Sequence, residues 1–586
     1  MQTTWNLGLL YKNHEDPQIE KDVKAIESAY SKFEKKYKGK NDYLKNETRL
    51  LAALTDYENM FAKLAMSKPI SYFHFILDLN SEDTVARSKS TILMQRFAKN
   101  EKKMLFFELG LAKIPVPLQK KFLKSKKMAH YHYYLSRVFL RGKHDLTEPE
   151  EHILGLKSLP SYGMWVDGVD KIKSRIVVDW KGQKVPLAAA MNMIADLKEP
   201  KERRELHKIC MESMNNVADF AESEINAIVT NKKINDELRG FKNPYDQTLM
   251  GYQNNEKSVL ALVKAVTDNF KISHKFYSLK AKILKLPNLE YSDRNIGIET
   301  NVKPLPFNDA LELVRKIFAS VDPKYRDILD SYLEKGQIDV FPRKGKTGGA
   351  YCAGAENMPT FVLLNHLENM DSVMTLSHEM GHAIHTELSK TQSPMYQGYS
   401  TATAEVASTL FESFVFDAVF ETLSPEEKIG ALHNKINDDI QTIFRQIACF
   451  NFEVELHRTI REKGSMSKEE IGSLMNKHVG AYLGPIVKMN EIDGNFFVWW
   501  SHIRRFFYVY SYAFGQLISK ALYSKYKEDK SYLQKIEKFL RAGGSDTPEN
   551  IFKSVGIDVT KPDFWINGLK SIEADIKKLE KLTKNR

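Results

Sequence analysis

Apolar residues recur every three or four positions through most of this chain, the spacing that buries one stripe of an amphipathic helix. Glu20 to Tyr37 and Asn46 to Ala65 carry such stripes between charged positions and hold no Pro or Gly. Met94 to Leu111 continues the pattern until Pro115 and Pro117 interrupt it, and Lys120 to Phe139 forms a further helical run. His130 and His132 within that run would share one side of a strand, but no third partner stands near them, so they are assigned to packing. Leu146 to Trp165, with Pro149, Pro160 and Gly163, reads as a loop-rich connection. Val166 to Val185 alternates like short strands around Ile172, Ile176 and Val178. Helical periodicity returns over Lys201 to Lys233, Asn255 to Leu284, Asn308 to Ala319 and Lys324 to Gly336. Between these, Leu286 to Phe307 has little of it and is expected to hold a strand around Glu290 to Ile298. A boundary near Glu199-Pro200 divides the chain into an N-terminal helical domain, 1–199, and a second domain, 200–586.

One stretch breaks the helical rhythm. Gly345 to Gly354 is glycine-rich and extended, and Met358 to Leu364 looks like a strand. Together they suggest a small antiparallel hairpin. Glycines let a second backbone approach closely, so the edge formed by Gly348, Gly349, Ala350 and Tyr351 is a candidate to take a peptide as an added strand. A phosphate-loop reading of Gly345-Lys346-Thr347 fails, because position 340 is Val340 where that motif needs glycine.

The next periodic stretch, Asp371 to Lys390, carries His378-Glu379-Met380-Gly381-His382. At roughly 100° per residue the two histidines lie about 40° apart around the axis, one turn above the other. Two imidazoles so placed can bind one Zn²⁺, and Glu379 stands near enough to take a proton from a metal-held water. Val373, Leu376, Met380, Ala383 and Ile384 gather on the opposite face as a core stripe, and Asp371 or Ser372 is the expected N-cap.

Composition narrows the setting. The 586 residues are 42% hydrophobic and 27% charged, which is globular. The net charge of +11 invites a nucleic-acid reading. Basic residues are nevertheless spread over solvated helix faces and no nucleic-acid module is recognisable, so that class is set aside. Cys210, Cys352 and Cys449 lack metal-ligand spacing and fit a reducing compartment. Met1 to Glu20 lacks the basic start and apolar core of a secretory signal, and no apolar run spans a bilayer. The expectation is a soluble, cytoplasmic protein without nucleic-acid or membrane partners; whether it is a monomer or homo-oligomer is left open.

A third metal ligand remains to be found. The three-histidine zinc pattern is excluded, because its glycine position is His385 and its last position is Leu388. A carboxylate from the helix Thr401 to Phe420 is the alternative, and Glu405 and Glu412 stand two turns apart on nearly one face. His378-Glu379-Met380-Gly381-His382-Ala383-Ile384-His385 followed by Thr403-Ala404-Glu405-Val406-Ala407-Ser408-Thr409 resembles the oligoendopeptidase F branch of the thimet-oligopeptidase family. The resemblance implies that Glu405 is the third zinc ligand, beside His378 and His382, with one Zn²⁺ per chain. Glu412 and Ser408 are then candidates to orient the ligands, and His385 belongs to that outer layer or to packing. Gly349-Ala350-Tyr351-Cys352 and Phe361 to Asn365 resemble the family's substrate-binding hairpin.

The similarity extends to Phe507-Tyr508-Val509-Tyr510-Ser511-Tyr512-Ala513. Tyr508 and Tyr512 stand one helical turn apart, and by resemblance His502 and one or more of Tyr508, Tyr510 and Tyr512 contact the substrate or the oxyanion of peptide hydrolysis. His502 and Tyr508 would not share a face of one continuous helix, so a bend is expected between them. Arg504 and Arg505 are candidates to hold a peptide carboxylate.

The resemblance further implies a mostly α, two-lobed helical metallopeptidase with a deep substrate channel, a small hairpin beside the zinc helix and N-terminal helices forming one channel wall. The expected activity is zinc-dependent endopeptidase cleavage of short unfolded oligopeptides, with Glu379 as general base. The alternatives are a dipeptidyl carboxypeptidase on the same scaffold and a non-catalytic peptide-binding protein with structural zinc.

Overall fold

The computed structural model describes residues 2–298 and 304–584. The protein is mostly helical, with seven short strands in three small sheets among the described residues. Its contacts divide it into two compact units, each assembled from separated stretches of chain.

The first unit comprises Met1–Asp145, Val302–Val419 and Leu522–Ile551. Its N-terminal helices form where the apolar stripes predict them. Pro17–Tyr37 starts under the Asp16 side chain, which accepts from the Gln18 amide, and Glu47–Lys63 starts under Asn46 in the same way. Their stripes meet in one apolar cluster around Phe33, Leu50, Phe107 and Leu135. A second cluster joins Trp5, Phe73, Phe361 and Leu363, so the N-terminal helices pack directly on a three-stranded sheet. In that sheet Phe361–Leu363 is central, antiparallel to Tyr351–Ala353 and parallel to Ile338–Asp339. The Trp5 indole donates to the Val362 carbonyl at 2.8 Å and fixes the chain start against it.

The second unit comprises Leu146–Asn301, Phe420–Ala521 and Phe552–Arg586. Its interior is aromatic, with Trp565, Tyr277, Tyr291, Tyr482 and Phe276 fully buried. Buried charges there are paired where a partner exists: Arg504 reaches both oxygens of Glu224 at 2.7 Å, and Arg203 reaches Asp293 at 2.9 Å.

Several local expectations are corrected. The stretch read as loop-rich contains the helix Glu148–Ser158, a π-helical turn Leu159–Gly163 and the helix Met164–Ser174. Pro149 lies in the first turn, where no intrahelical N–H is needed, and Thr147 with Glu150 closes a capping box. The strand expectation holds only beyond that helix, where Val177–Trp180 pairs with Gln183–Pro186 across Lys181 and Gly182, both at positive φ. Ile172 belongs to the helix. The strand expected around Glu290 shortens to Leu289–Glu290, paired with Val487–Lys488, and part of the adjoining stretch lies outside the described residues. His130 and His132 sit in a 3₁₀ turn and at a helix start, and bond Glu58 and the Ser125 carbonyl. No helix among the described residues is long and apolar enough to cross a membrane.

Candidate metal centre

The H-E-x-x-H motif lies on the helix Met370–Ser389. Its cap is Asn369, whose side chain accepts from the Ser372 amide at 2.9 Å, rather than Asp371 or Ser372. Val373, Leu376, Met380, Ala383 and Ile384 are fully buried, so the stripe read from the sequence anchors the helix. The imidazoles of His378 and His382 then project together, with centroids 4.9 Å apart.

Gly381, between them, decides what can approach. A Cβ at this position would lie 2.8 Å from the Ser408 Cα and 3.1 Å from the Ala407 carbonyl oxygen. The missing side chain lets the helix Thr401–Thr422 press its backbone against the motif. That approach delivers Glu405, whose Oε2 lies 3.5 Å from His378 Nε2 and 3.9 Å from His382 Nε2.

Ligand atoms from His378, His382 and Glu405 all lie within 4.8 Å of one another. Atoms bound about 2.0–2.1 Å from a tetrahedral zinc lie about 3.3 Å apart, so the three fit that ion with small side-chain movements. The surrounding bonds agree. Glu412 bonds His378 Nδ1 and directs Nε2 toward the ligand set, and Ser408 Oγ bonds Glu405 Oε2 at 3.1 Å. His382 is pushed down to about 3 by burial and by His378, which leaves it neutral with a free lone pair. Burial opposes charge on His378 as well, but the Glu412 carboxylate prevails and raises it to about 9.

Glu379 is only 6% exposed. Its Oε2 is buried with no hydrogen-bond partner among the described residues. Burial raises the carboxyl to about 7, with His378 opposing and Glu405 and Glu412 adding to the rise. An acid near neutrality with one unpaired oxygen beside three converging ligands is suited to exchanging a proton with bound water. His385, by contrast, is buried and stacks on Tyr399, with centroids 3.7 Å apart and planes 7° apart, which assigns it to packing. Nothing in the sequence marks Tyr399 as its partner, because only the tertiary fold brings the rings together.

The strand Tyr351–Ala353 is the sheet's edge on the side of this helix, and among the described residues only Phe361–Leu363 pairs with it. Gly348 and Gly349 precede it and are exposed; the Gly349 carbonyl already accepts from Asn365 Nδ2 at 2.7 Å. Ala350 is half-buried, and the Tyr351 hydroxyl donates to Asp78 at 2.5 Å. Tyr351 is therefore a fixture of the hairpin, and the outer edge of its strand has no strand partner among the described residues.

The second unit holds the remaining residues. His502 lies in the 3₁₀ turn Ser501–Arg505, and the helix begins only at Tyr510. The expected bend is the pair Phe506 and Phe507, at φ 52° and 59°. It folds Tyr508 back so that its hydroxyl bonds His502 Nδ1, and the Tyr512 ring lies 5.8 Å from that of Tyr508. Burial, reinforced by Arg445 and Arg505, pushes His502 down to about 4 and keeps it neutral. Two candidates drop out. Tyr510 is fully buried and accepts from Asn254 Nδ2 at 2.9 Å, so it cannot reach a substrate, and Arg504 is buried against Glu224. Both lie on the inward side of their turns, which spacing alone does not reveal.

Residues 193–571 match Peptidase family M3, and residues 111–168 match Oligopeptidase F. An oligoendopeptidase F homolog of Lactococcus lactis is 24% identical over 605 residues, covering 99% of this chain and 97% of the relative. One from Borreliella burgdorferi is 25% identical over 605 residues, covering 99% and 98%. Among solved structures, the oligoendopeptidase-F of Enterococcus faecium shares the fold at a TM-score of 0.70 and 19% identity, over 97% of this chain and 99% of that one.

Proposed function

This chain belongs to peptidase family M3, and from that premise we propose that it is a zinc-dependent endopeptidase cleaving internal bonds of short unfolded oligopeptides. The observation that carries the reading is the convergence of His378, His382 and Glu405 beside a buried Glu379 with one unpaired oxygen. The names of its full-length relatives as oligoendopeptidase F homologs support it.

His378, His382 and Glu405 would hold the metal. A zinc ion bound there would lower the pKa of a water in its open position and polarise the scissile carbonyl. Glu379 takes the proton of the attacking water on its free oxygen and passes it to the departing amine. His502, neutral, bonds the Tyr508 hydroxyl through Nδ1 and, as the family resemblance implies, contacts the substrate. The Tyr512 phenol is a further hydrogen-bond donor for the substrate. The open edge of Tyr351–Ala353, led by Gly348, Gly349 and Ala350, takes the peptide backbone as an added strand. The three free cysteines fit the reducing, cytoplasmic setting expected.

The test is Glu379→Gln in the zinc-loaded protein. Zinc content should stay at one per chain while hydrolysis of a mixed-length peptide pool, followed by mass spectrometry, falls about 10²–10⁴-fold. Retained turnover would remove Glu379 from this role. Peptides blocked at the C-terminus should still be cut; loss of cleavage on blocking would favour the dipeptidyl carboxypeptidase. No chelator-sensitive cleavage of any peptide would leave a binding protein.

A further inference from the structure

Left-handed backbone is rare outside glycine, and it is more costly still for two bulky residues in succession. Phe506 and Phe507 adopt it, at φ 52° and 59°, immediately before Tyr508. Such a turn persists only where its surroundings hold it. The Phe507 amide donates to Glu453 Oε2 at 2.6 Å. Thr248 Oγ1 donates to the Phe506 carbonyl at 3.0 Å. His457 lies against both rings, with centroids 5.3 and 4.6 Å away.

Glu453 stands out among these. It is fully buried on the helix Gln446–Lys463, and no cation pairs with it among the described residues. Its Oε1 has no partner there either. Burial raises its pKa well above the usual carboxylate range, with the Phe507 amide opposing. A buried carboxyl without a counter-charge costs stability. Its one hydrogen bond among the described residues is to the turn, and the residue after the turn is the one that bonds His502.

We propose that Glu453 is a positioning residue: by accepting the Phe507 amide it fixes the left-handed turn that sets Tyr508 against the imidazole of His502. The inference rests on the reading above that His502 and its tyrosines act on the substrate. Glu453 itself touches no substrate. It works through one amide, and a side-chain amide oxygen can replace its acceptor.

The experiment compares Glu453→Gln and Glu453→Met in the zinc-loaded enzyme on an internally quenched, unstructured oligopeptide. Glu453→Met should lower kcat about tenfold with KM changed less than about twofold, and Glu453→Gln should stay within about twofold of the wild type. Hydrogen–deuterium exchange should quicken at the Phe507 amide in the Met variant and not in the Gln variant. Tyr508→Phe alone should lower kcat at least as far, and combining it with Glu453→Met should add nothing, as two changes along one linkage do. An unaltered kcat in Tyr508→Phe would reject the reading of the site. A fallen kcat there with an unaltered kcat in Glu453→Met would reject the present inference alone, as would a Gln variant as impaired as the Met variant. Should the Met chain not fold, Thr248→Val removes the other hydrogen bond to this turn. It should lower kcat about threefold, and an unaltered value would overturn the inference.

Discussion

The two polar clusters of this protein, one in each compact unit, are built on opposite plans. Around His378 the backbone is regular helix throughout, and convergence comes from a four-residue repeat and one missing Cβ at Gly381. The cluster leaves a buried oxygen of Glu379 without a hydrogen-bond partner among the described residues. Around His502 the backbone is irregular, with two phenylalanines in left-handed conformation, and the Nδ1 of the imidazole already bonds the Tyr508 hydroxyl. The first arrangement is a group of three side chains that could hold a metal ion, set on regular helices. The second is an imidazole bonded to a phenol, and its geometry depends on a strained turn and on the buried groups that hold it. Rigid periodic elements place ligands without strain, whereas a turn can aim a side chain where no helix face points.

This contrast can be broken from either side. The largest effect is expected from Glu405→Ala, which removes a ligand outright. Since loss of an orienting partner alone costs about 10–100-fold in metal affinity, loss of a ligand should cost more, and zinc content after dialysis should fall toward zero. Unchanged content would place the third ligand elsewhere. Glu412→Ala should weaken zinc about 10–100-fold in a chelator-competition titration, because His378 loses the partner that orients its ring. Gly381→Ala forces the two helices apart and should destabilise the metal-free protein by about 1–3 kcal/mol on chemical denaturation. Equal stability would mean that the glycine does not set the contact.

A further effect concerns the second unit, where a lysine amine is buried. Lys280 donates to the Arg294 carbonyl at 2.7 Å and to Asn437 at 3.0 Å, and burial lowers it from 10.5 to about 7. Between these values the unfolded chain binds a proton that the folded chain does not, so stability rises with pH through that window. The wild type should therefore gain on Lys280→Met by at most about 1.4 kcal/mol per pH unit from about pH 7 to 10. A flat difference would mean that Lys280 stays charged when buried.

Much of the helical frame is legible in the order of residues, because a stripe recurring every three or four positions has one way to be buried. Glu20 to Tyr37 and Asp371 to Lys390 fold within a few residues of where their stripes place them. Pro149 misled because proline excludes the interior of a helix and not its first turn. The prolines and glycines of Leu146 to Trp165 therefore read as loop in a segment that is helical.

The sequence by itself determined that two imidazoles and a glutamate share one turn of a helix whose other face is apolar. It also determined that a second helix, with Glu405 and Glu412, follows closely. Those are statements about neighbours along the chain, and helix geometry fixes them. Spacing leaves Glu405 and Glu412 open, and the family resemblance points to Glu405. The tertiary structure brings Glu405 to the imidazoles and Glu412 to His378 Nδ1, through the close packing of two helices at Gly381. It alone separated Tyr512 from the buried Tyr510, and paired Arg504 with Glu224 across 280 positions. It alone put Glu453 beneath the turn that carries Tyr508, 54 positions on from it to Phe507. Contacts between distant residues follow from packing, and the order of residues records packing only through the stripes that drive it.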